Sequence, residues 1–322
     1  MSILTHAGVP FGCLTCLHLC YSGGHSVQST FDLTASFLVH QSSCAVATIS
    51  NRPQARPFLK WAGGKGRLLA QYQPYFPATI DTYYEPFLGG GAVFFHLAGQ
   101  VHQAILGDIN PELVNVYQCV RDRTADLITR LQRHKQRHSP DYYYQVRQQH
   151  TLVDPVERAA RLIYLNKTCY NGLYRENSQG HFNVPVGRYK SPAICDPNLL
   201  QLAAAALQQA EIQQFSFEAI LHWPLSSRDL VYFDPPYHPI SDTSSFTSYN
   251  RYGFTASDQQ RLAQVFRQLA DRGIPVMLSN SDCEFIRQLY QGFAIHPIQA
   301  ARAINSRAGR RGKISELLIT SY

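Results

Sequence analysis

Short apolar runs that favour β-strands alternate with amphipathic segments that favour helices along much of this 322-residue chain. Strands are indicated at 80–87, 104–106, 230–233 and 274–278, and helices at 92–98, 258–272 and about 282–291. A closing pair of strands is indicated at 293–298 and 316–321. Alternation in this order predicts an α/β fold, a doubly wound sheet with its ligand at the carboxyl ends of the strands.

The alternation is interrupted between residues 111 and 198. This stretch is helical, basic and aromatic, and its residues 171–189 are rich in Gly and Asn and favour a hairpin. We therefore expect an inserted domain at 111–198 within a larger domain formed by 52–110 and 199–322.

Residues 1–51 differ in composition from the remainder, because they contain no Lys or Arg and four of the eight Cys. We expect a disordered extension, or a start site placed too far upstream, and assign it no function. Cys13, Cys16, His18 and Cys20 are spaced too closely for a zinc finger, so we expect no metal. The chain has no run of about 18 apolar residues, so we also expect no membrane span.

The net charge of +7 is unevenly distributed. Residues 52–67, 111–199 and 302–313 each carry a net charge of +5, which leaves the rest of the chain acidic. If the three basic patches converge on one face, they form an electrostatic footprint for nucleic acid. The alternative is a scattered, solvated surface.

A glycine-rich motif, EPFLGGG at 85–91, lies between a predicted strand and a predicted helix. Glycines there let the backbone approach a ligand closely, but the spacing is not the one that holds a pyrophosphate. Asp108 ends the next strand, where an acid accepts hydrogen bonds from ribose hydroxyls. Together they indicate a nucleoside-bearing cofactor without phosphates; the alternative is a tight turn and a solvated Asp.

A second motif, formed by Asp234, Pro235, Pro236 and Tyr237, directly follows the apolar run at 230–233. Prolines have no N–H group, so nearby carbonyls stay free to accept. A carboxylate beside a free carbonyl forms a two-acceptor clamp for one amino group, and the Tyr ring offers a stacking surface. An amine-bearing base reaches such a clamp only outside its duplex stack. An ordinary turn is the alternative.

In these motifs the chain resembles the Dam-type DNA adenine-N6 methyltransferases, whose order is cofactor motif, target-recognition domain and catalytic motif. The resemblance covers about 52–322. It includes PFLKWAGGK at 57–65, GDIN at 107–110, YLNKTCYNGLYREN at 164–177, FNVPVGRY at 182–189 and the basic stretch at 302–318. It implies a Rossmann-like sheet of the S-adenosylmethionine-dependent type, with a mainly helical recognition domain that carries a β-hairpin.

The resemblance implies that S-adenosylmethionine is the cofactor and that double-stranded DNA containing GATC is the substrate. The implied cofactor site comprises Trp61, Lys65, Glu85, Phe87, Gly89, Asp108 and Asp234. Lys60 would meet the first base pair, Leu173 and Pro185 a thymine methyl, and Arg175 the last guanine. Backbone or hairpin contacts would come from Asn171, Asn177, Arg188 and Lys190.

We therefore predict direct methyl transfer to N6 of a flipped adenine, without a covalent enzyme intermediate, by a monomer in the bacterial cytoplasm. The motif has no nearby Cys, which argues against attack on cytosine C5. The alternatives are a cytosine-N4 enzyme, a restriction-modification adenine enzyme with another recognition sequence, a protein or RNA methyltransferase, and a non-enzymatic DNA-binding module.

Overall fold

The computed structural model describes residues 54–240, 253–301 and 313–322. Residues 1–51 and most of the basic patch at 302–313 lie outside this range. The strands are β1 (Ile80–Glu85), β2 (Val101–Asp108), β3 (Ala210–Gln214), β4 (Leu230–Phe233), β5 (Val276–Ser281), β6 (Ala294–Ala301) and β7 (Lys313–Thr320). The helices are α1 (Leu69–Tyr72), α2 (Ala92–Leu97), α3 (Pro111–Asp122), α4 (Thr124–Arg137), α5 (Pro140–Arg147), α6 (Pro155–Thr168), α7 (Pro197–Leu207), α8 (Ala256–Asp271) and α9 (Glu284–Leu289).

The seven strands of the described residues form one sheet in the order β3-β2-β1-β4-β5-β7-β6. The first five are parallel, whereas β7 runs antiparallel to both β5 and β6. The order reverses between β1 and β4, where Tyr83 pairs with Leu230. Chains leaving these two strands diverge and open a crevice at their carboxyl ends. The predicted doubly wound α/β fold is confirmed.

Apolar packing on both faces explains why β4 is a continuous apolar run. Leu230 and Tyr232 belong to one buried cluster, and Val231 and Phe233 belong to another. Alternate residues of a strand point to opposite faces, so a strand covered on both sides must be apolar throughout. The position of Asp234 is therefore fixed as the first polar residue after a buried strand.

Four helices begin with a polar cap followed by proline. The side chains of Asn110, Ser139, Asp154 and Asp196 accept backbone N–H groups at the starts of α3, α5, α6 and α7. Such caps satisfy otherwise unpaired donors, and proline at the first helical position loses no hydrogen bond. The Asn110 cap also fixes the chain just after the end of β2.

The segment 171–189 doubles back, but it and the chain just before it form two isolated antiparallel bridges rather than paired strands. The bridges join Cys169 to Val186 and Glu176 to Phe182. Tyr170 donates its backbone N–H to the Pro185 carbonyl at 2.8 Å. Because Pro185 has no N–H to return, the ladder is interrupted there. The expected β-hairpin is thus corrected to an irregular one.

Neither α7 nor β3 is predicted from the sequence. Helix α7 contains four consecutive Ala residues, which give little amphipathic contrast. The helix starts at Pro197, so the proposed boundary between 198 and 199 falls inside it. The division into two domains stays a prediction.

Candidate active site

An ion pair lies at the carboxyl end of β4. Lys65 Nζ is 2.7 Å from Asp234 Oδ1, and Ser279 Oγ donates to the same oxygen at 3.0 Å. Ser279 Oγ in turn lies 2.6 Å from the Tyr232 hydroxyl. Burial raises the pKa of Asp234, whereas Lys65 and Ser279 oppose this by stabilising the ionised form. Among the described residues, none donates a hydrogen bond to Asp234 Oδ2.

The loop after Asp234 is held from behind by polar side chains. Gln259 Nε2 donates to the Pro236 carbonyl at 2.9 Å, and Asn280 Nδ2 donates to Gln259 Oε1 at 2.9 Å. Asn280 Oδ1 also accepts the His238 backbone N–H at 3.2 Å. The Pro235 carbonyl receives no hydrogen bond from the part of the chain that is described. The loop is thus anchored while one of its carbonyls stays open.

The Tyr237 side chain is fixed at both its ring and its hydroxyl. Its hydroxyl donates to Glu316 Oε2 on β7 at 2.8 Å. Lys65 Nζ lies 4.8 Å from the centre of its ring. A ring held in this way cannot swing freely, so it presents a defined face beside Asp234.

The glycine motif joins the ends of β1 and β2. The Gly89 backbone N–H donates to Asp108 Oδ2 at 3.1 Å, and the Asn110 N–H donates to Oδ1 at 3.0 Å. Tyr117 donates its hydroxyl proton to the Gly89 carbonyl at 3.1 Å. Burial raises the pKa of Asp108 to about 6, against the opposing effect of these backbone donors. A carboxylate has about four acceptor sites, so the Asp108 carboxylate retains capacity for a ligand.

Glu85 and Phe87 support this loop from the protein interior. Glu85 is buried and accepts the Phe94 backbone N–H at 3.2 Å, and burial raises its pKa. The Phe87 ring stacks on Phe217 with centroids 5.6 Å apart and meets Phe233 edge-on at 6.3 Å. Phe87 therefore continues the apolar wall of the crevice.

Trp61 covers the glycines of the loop. A Cβ atom at Gly89 would lie 2.9 Å from Trp61 Cδ1, and one at Gly90 would lie 3.3 Å from Trp61 Cβ. Gly89 and Gly91 adopt positive φ angles of 47° and 65°. Both observations require glycine in this loop, since other residues would be strained and would displace the indole.

Lys60 contacts the irregular hairpin. Asn166 Oδ1 accepts the Lys60 N–H at 2.8 Å, and Asn166 Nδ2 donates to the carbonyls of Lys60 at 2.7 Å and Gly172 at 3.1 Å. The Lys60 ammonium lies 3.9 Å from the centre of the Tyr189 ring. The other predicted DNA contacts are all exposed, on the segment 171–189 or directly after it: Asn171, Leu173, Arg175, Asn177, Pro185, Arg188 and Lys190.

Several residues of the site are not predicted from the sequence, notably Ser279, Gln259, Asn280 and Glu316. Ser279 and Asn280 do carry a signal, because polar residues interrupt an apolar run at the carboxyl end of β5. No sequence signal marks Gln259 or Glu316, since a single polar residue on a helix or strand is ordinary.

The described ranges lack features of membrane-spanning and metal-binding sites. None of the helices there combines the length and apolar character needed to cross a bilayer. The same residues contain no group of three or more His, Cys, Asp or Glu side chains that could hold a metal ion.

Comparison with known proteins identifies the family. A model of the D12 class N6 adenine-specific DNA methyltransferases matches residues 61–304. A type II methyltransferase of Lactococcus lactis subsp. cremoris is 43% identical over 279 residues, covering 84% of this chain and 97% of that protein. One from Methanocaldococcus jannaschii is 42% identical over 289 residues, covering 84% and 100%. The DNA adenine methylase of Escherichia coli strain K12 is 37% identical over 268 residues, covering 82% and 94%.

The fold and these relatives together define an enzyme of the methyltransferase class. The chain belongs to the D12 class N6 adenine-specific DNA methyltransferase family. The prediction of an adenine-specific DNA methyltransferase is confirmed, and its substrate is DNA.

Proposed function

We propose that the chain transfers a methyl group from S-adenosylmethionine to N6 of an adenine flipped out of duplex DNA. The observation that carries this proposal is that the two carboxylate oxygens of Asp234 differ in their hydrogen-bond partners. Lys65 and Ser279 both engage Oδ1. Oδ2 and the Pro235 carbonyl are left, among the described residues, as two acceptors without donors.

These two acceptors match the two hydrogens of an adenine amino group. In free adenine the N6 lone pair is delocalised into the ring. Hydrogen bonds from both N–H groups to Asp234 Oδ2 and the Pro235 carbonyl favour a geometry in which the pair is localised on nitrogen and can attack carbon. The Tyr237 ring, held by Glu316, supplies a stacking face for the base.

The residues of the crevice fit S-adenosylmethionine. Its sulfonium is cationic, and Glu85, Asp108 and Asp234 are the acids at the ends of β1, β2 and β4. Asp108 is proposed to accept ribose hydroxyls, and the Trp61 indole packs against Gly89, whose N–H donates to the Asp108 carboxylate. When bound, S-adenosylmethionine supplies an electrophilic methyl group on sulfur. Asp234 Oδ2 and the Pro235 carbonyl would hold the amino group so that its lone pair faces that methyl group.

We propose GATC as the methylated site, through the exposed residues of the hairpin and Lys60. Arg175 carries the guanidinium that reads a guanine best, and Leu173 and Pro185 offer apolar contact to a thymine methyl. Asn171, Asn177, Arg188 and Lys190 are proposed to contact the backbone. An adenine enzyme of a restriction-modification system with another site is the second candidate, favoured by the two type II relatives.

We further propose that the chain acts as a monomer, since the proposed catalytic groups all come from one polypeptide. DNA as substrate leads us to expect that it acts beside the chromosome in the bacterial cytoplasm. We also propose that 111–198 is the recognition domain, inserted between the two parts of the catalytic domain.

The Asp234→Ala variant tests the proposal in a tritiated-methyl transfer assay. We expect transfer to a GATC duplex to be abolished while binding to that duplex, measured by fluorescence anisotropy, is largely spared. Asp271→Ala is a matched control, because Asp271 is an exposed Asp at the end of α8. Near-normal transfer by Asp234→Ala would overturn the assignment.

A further inference from the structure

The hairpin segment contacts Trp61, which covers the glycine motif at 85–91, through one aromatic side chain. Tyr174 lies between Leu173 and Arg175, and its ring packs against Trp61 with centroids 5.3 Å apart and planes inclined by 30°. Trp61 in turn lies directly on Gly89 and Gly90. A continuous contact therefore runs from the glycine loop to the residues proposed to read DNA.

Tyr174 is anchored on both sides of this contact. Its ring meets Phe182 edge-on at 5.8 Å, and its hydroxyl donates to Glu176. It packs against both the large apolar core that includes β1 and β2 and the small cluster that joins α5 and α6 to the hairpin segment. A rearrangement of the hairpin would therefore break these contacts of Tyr174.

The fixed position of Tyr174 determines the direction of the side chains next to it, which are proposed to read DNA. Leu173 is extended, with φ −68° and ψ 146°, and both Leu173 and Arg175 are exposed whereas Tyr174 is half-buried. In an extended segment successive side chains point to opposite sides. Fixing Tyr174 inward therefore fixes Leu173 and Arg175 outward.

We propose that Tyr174 is a positioning residue that couples occupancy of the cofactor site to the arrangement of the DNA-reading hairpin. A ligand that fixes Trp61 over the glycines favours one position of Tyr174, and hence one arrangement of Leu173 and Arg175. Such coupling is reciprocal, so DNA must tighten cofactor binding by the factor by which cofactor tightens DNA binding. The inference rests on the function proposed above.

The test is the affinity of S-adenosylhomocysteine, which carries no methyl group to transfer, with and without a duplex containing one GATC. Titration calorimetry on the full chain gives both dissociation constants. We expect roughly a fivefold or larger tightening by the duplex in the wild type, the lower end of typical coupling between sites. Tyr174→Ala should reduce this ratio to near one, whereas Tyr174→Phe should retain it because the ring remains.

Two further variants separate coupling from folding. Tyr144→Ala removes an exposed aromatic ring from α5, and should keep the wild-type ratio. If Tyr174→Ala does not fold, Tyr174→Leu keeps most of the volume without the ring and should also lower the ratio. Two results would overturn the coupling alone. One is the same ratio of dissociation constants in the wild type and in a folded Tyr174 variant without the ring, and the other is a wild-type ratio of one. Failure of the wild type to bind S-adenosylhomocysteine at all would overturn the proposed function as well.

Discussion

Lys65 Nζ lies 2.7 Å from Asp234 Oδ1, although the two residues are far apart in sequence and Lys65 is only 3% exposed. The ammonium compensates a carboxylate whose ionised form burial would otherwise disfavour. The pair also leaves Oδ2 of Asp234 available for a ligand. One contact thus sets both the charge and the orientation of the proposed acceptor.

Replacing Lys65 by Met should move the pH dependence of methyl transfer. Lys65 favours ionised Asp234, so its loss raises the pKa of a carboxyl group that burial already raises. Transfer requires the ionised form, so the rate at saturating cofactor should fall at pH 7 and recover as the pH increases. We expect the acid limb of the kcat profile to move upward by about one pH unit or more, since a buried carboxylate then lacks its cation. Lys65→Arg, which keeps the charge, should shift the limb less; an unmoved limb in Lys65→Met would contradict the role assigned to the ion pair.

Replacing Ser279 by Ala should lower kcat without weakening cofactor binding. The variant removes a hydrogen bond to Asp234 Oδ1 and leaves the buried Tyr232 hydroxyl without that partner. A hydrogen bond to a charged group contributes about 1.5–3 kcal/mol, which corresponds to a loss of roughly tenfold or more. Single-turnover kinetics measure the effect. Ser279→Thr restores a hydroxyl and should recover much of the rate, and a wild-type rate in Ser279→Ala would count against the proposed support of Asp234.

Replacing Gly89 by Ala should weaken cofactor binding while leaving the fold intact. The new Cβ would lie 2.9 Å from Trp61 Cδ1, at a residue with a φ angle of 47°. A non-glycine residue in this conformation costs about 1–2 kcal/mol before any clash. Equilibrium dialysis with S-adenosylmethionine measures the affinity. Gly99→Ala is the matched control, because a Cβ at Gly99 has no atom within 4 Å; equal affinities in the two variants would be inconsistent with a cofactor site at this loop.

Replacing Arg175 should change sequence discrimination, whereas replacing Lys190 should change the strength of DNA binding. Arg175 is exposed and its Nε donates to Asn183 Oδ1 at 2.6 Å, which orients the guanidinium. Arg175→Ala should relax discrimination at one position of the site, where a bidentate contact to guanine is worth about 1–3 kcal/mol. Lys190→Ala should weaken binding uniformly and reduce the salt dependence. Methylation of a library with substitutions at each position of GATC measures the discrimination, and binding titrations at several salt concentrations measure the affinity and its salt dependence. Unchanged discrimination in Arg175→Ala would remove Arg175 from the proposed readout.

The strands and helices that were predictable are those whose apolar pattern is strong. The predicted strand at 230–233 coincides with β4, whereas β2 begins three residues before the predicted start of 104. His102 and Gln103 are exposed and polar, so the apolar pattern that predicted the strand does not extend over them. Helix α8 begins two residues before the predicted 258, at a cap formed by Thr255.

The proposed site was predictable where its residues belong to motifs that follow predicted strands or that carry the family resemblance. Asp234 and Tyr237 form a visible motif, but Ser279 and Glu316 reach them through strand pairing that no local pattern encodes. The irregular hairpin shows a similar limit, because its glycines and asparagines indicate a turn but do not reveal that Pro185 interrupts the ladder. Contacts between distant segments depend on topology, which emerges only once the whole sheet is assembled.

The proposed methyl transfer to adenine is tested most directly by mass spectrometry of nucleosides from duplex DNA incubated with the purified chain and S-adenosylmethionine bearing a deuterated methyl group. We expect labelled N6-methyladenine with the wild-type chain and none with Asp234→Ala. Labelled N4-methylcytosine, or label in adenine that persists in Asp234→Ala, would contradict it.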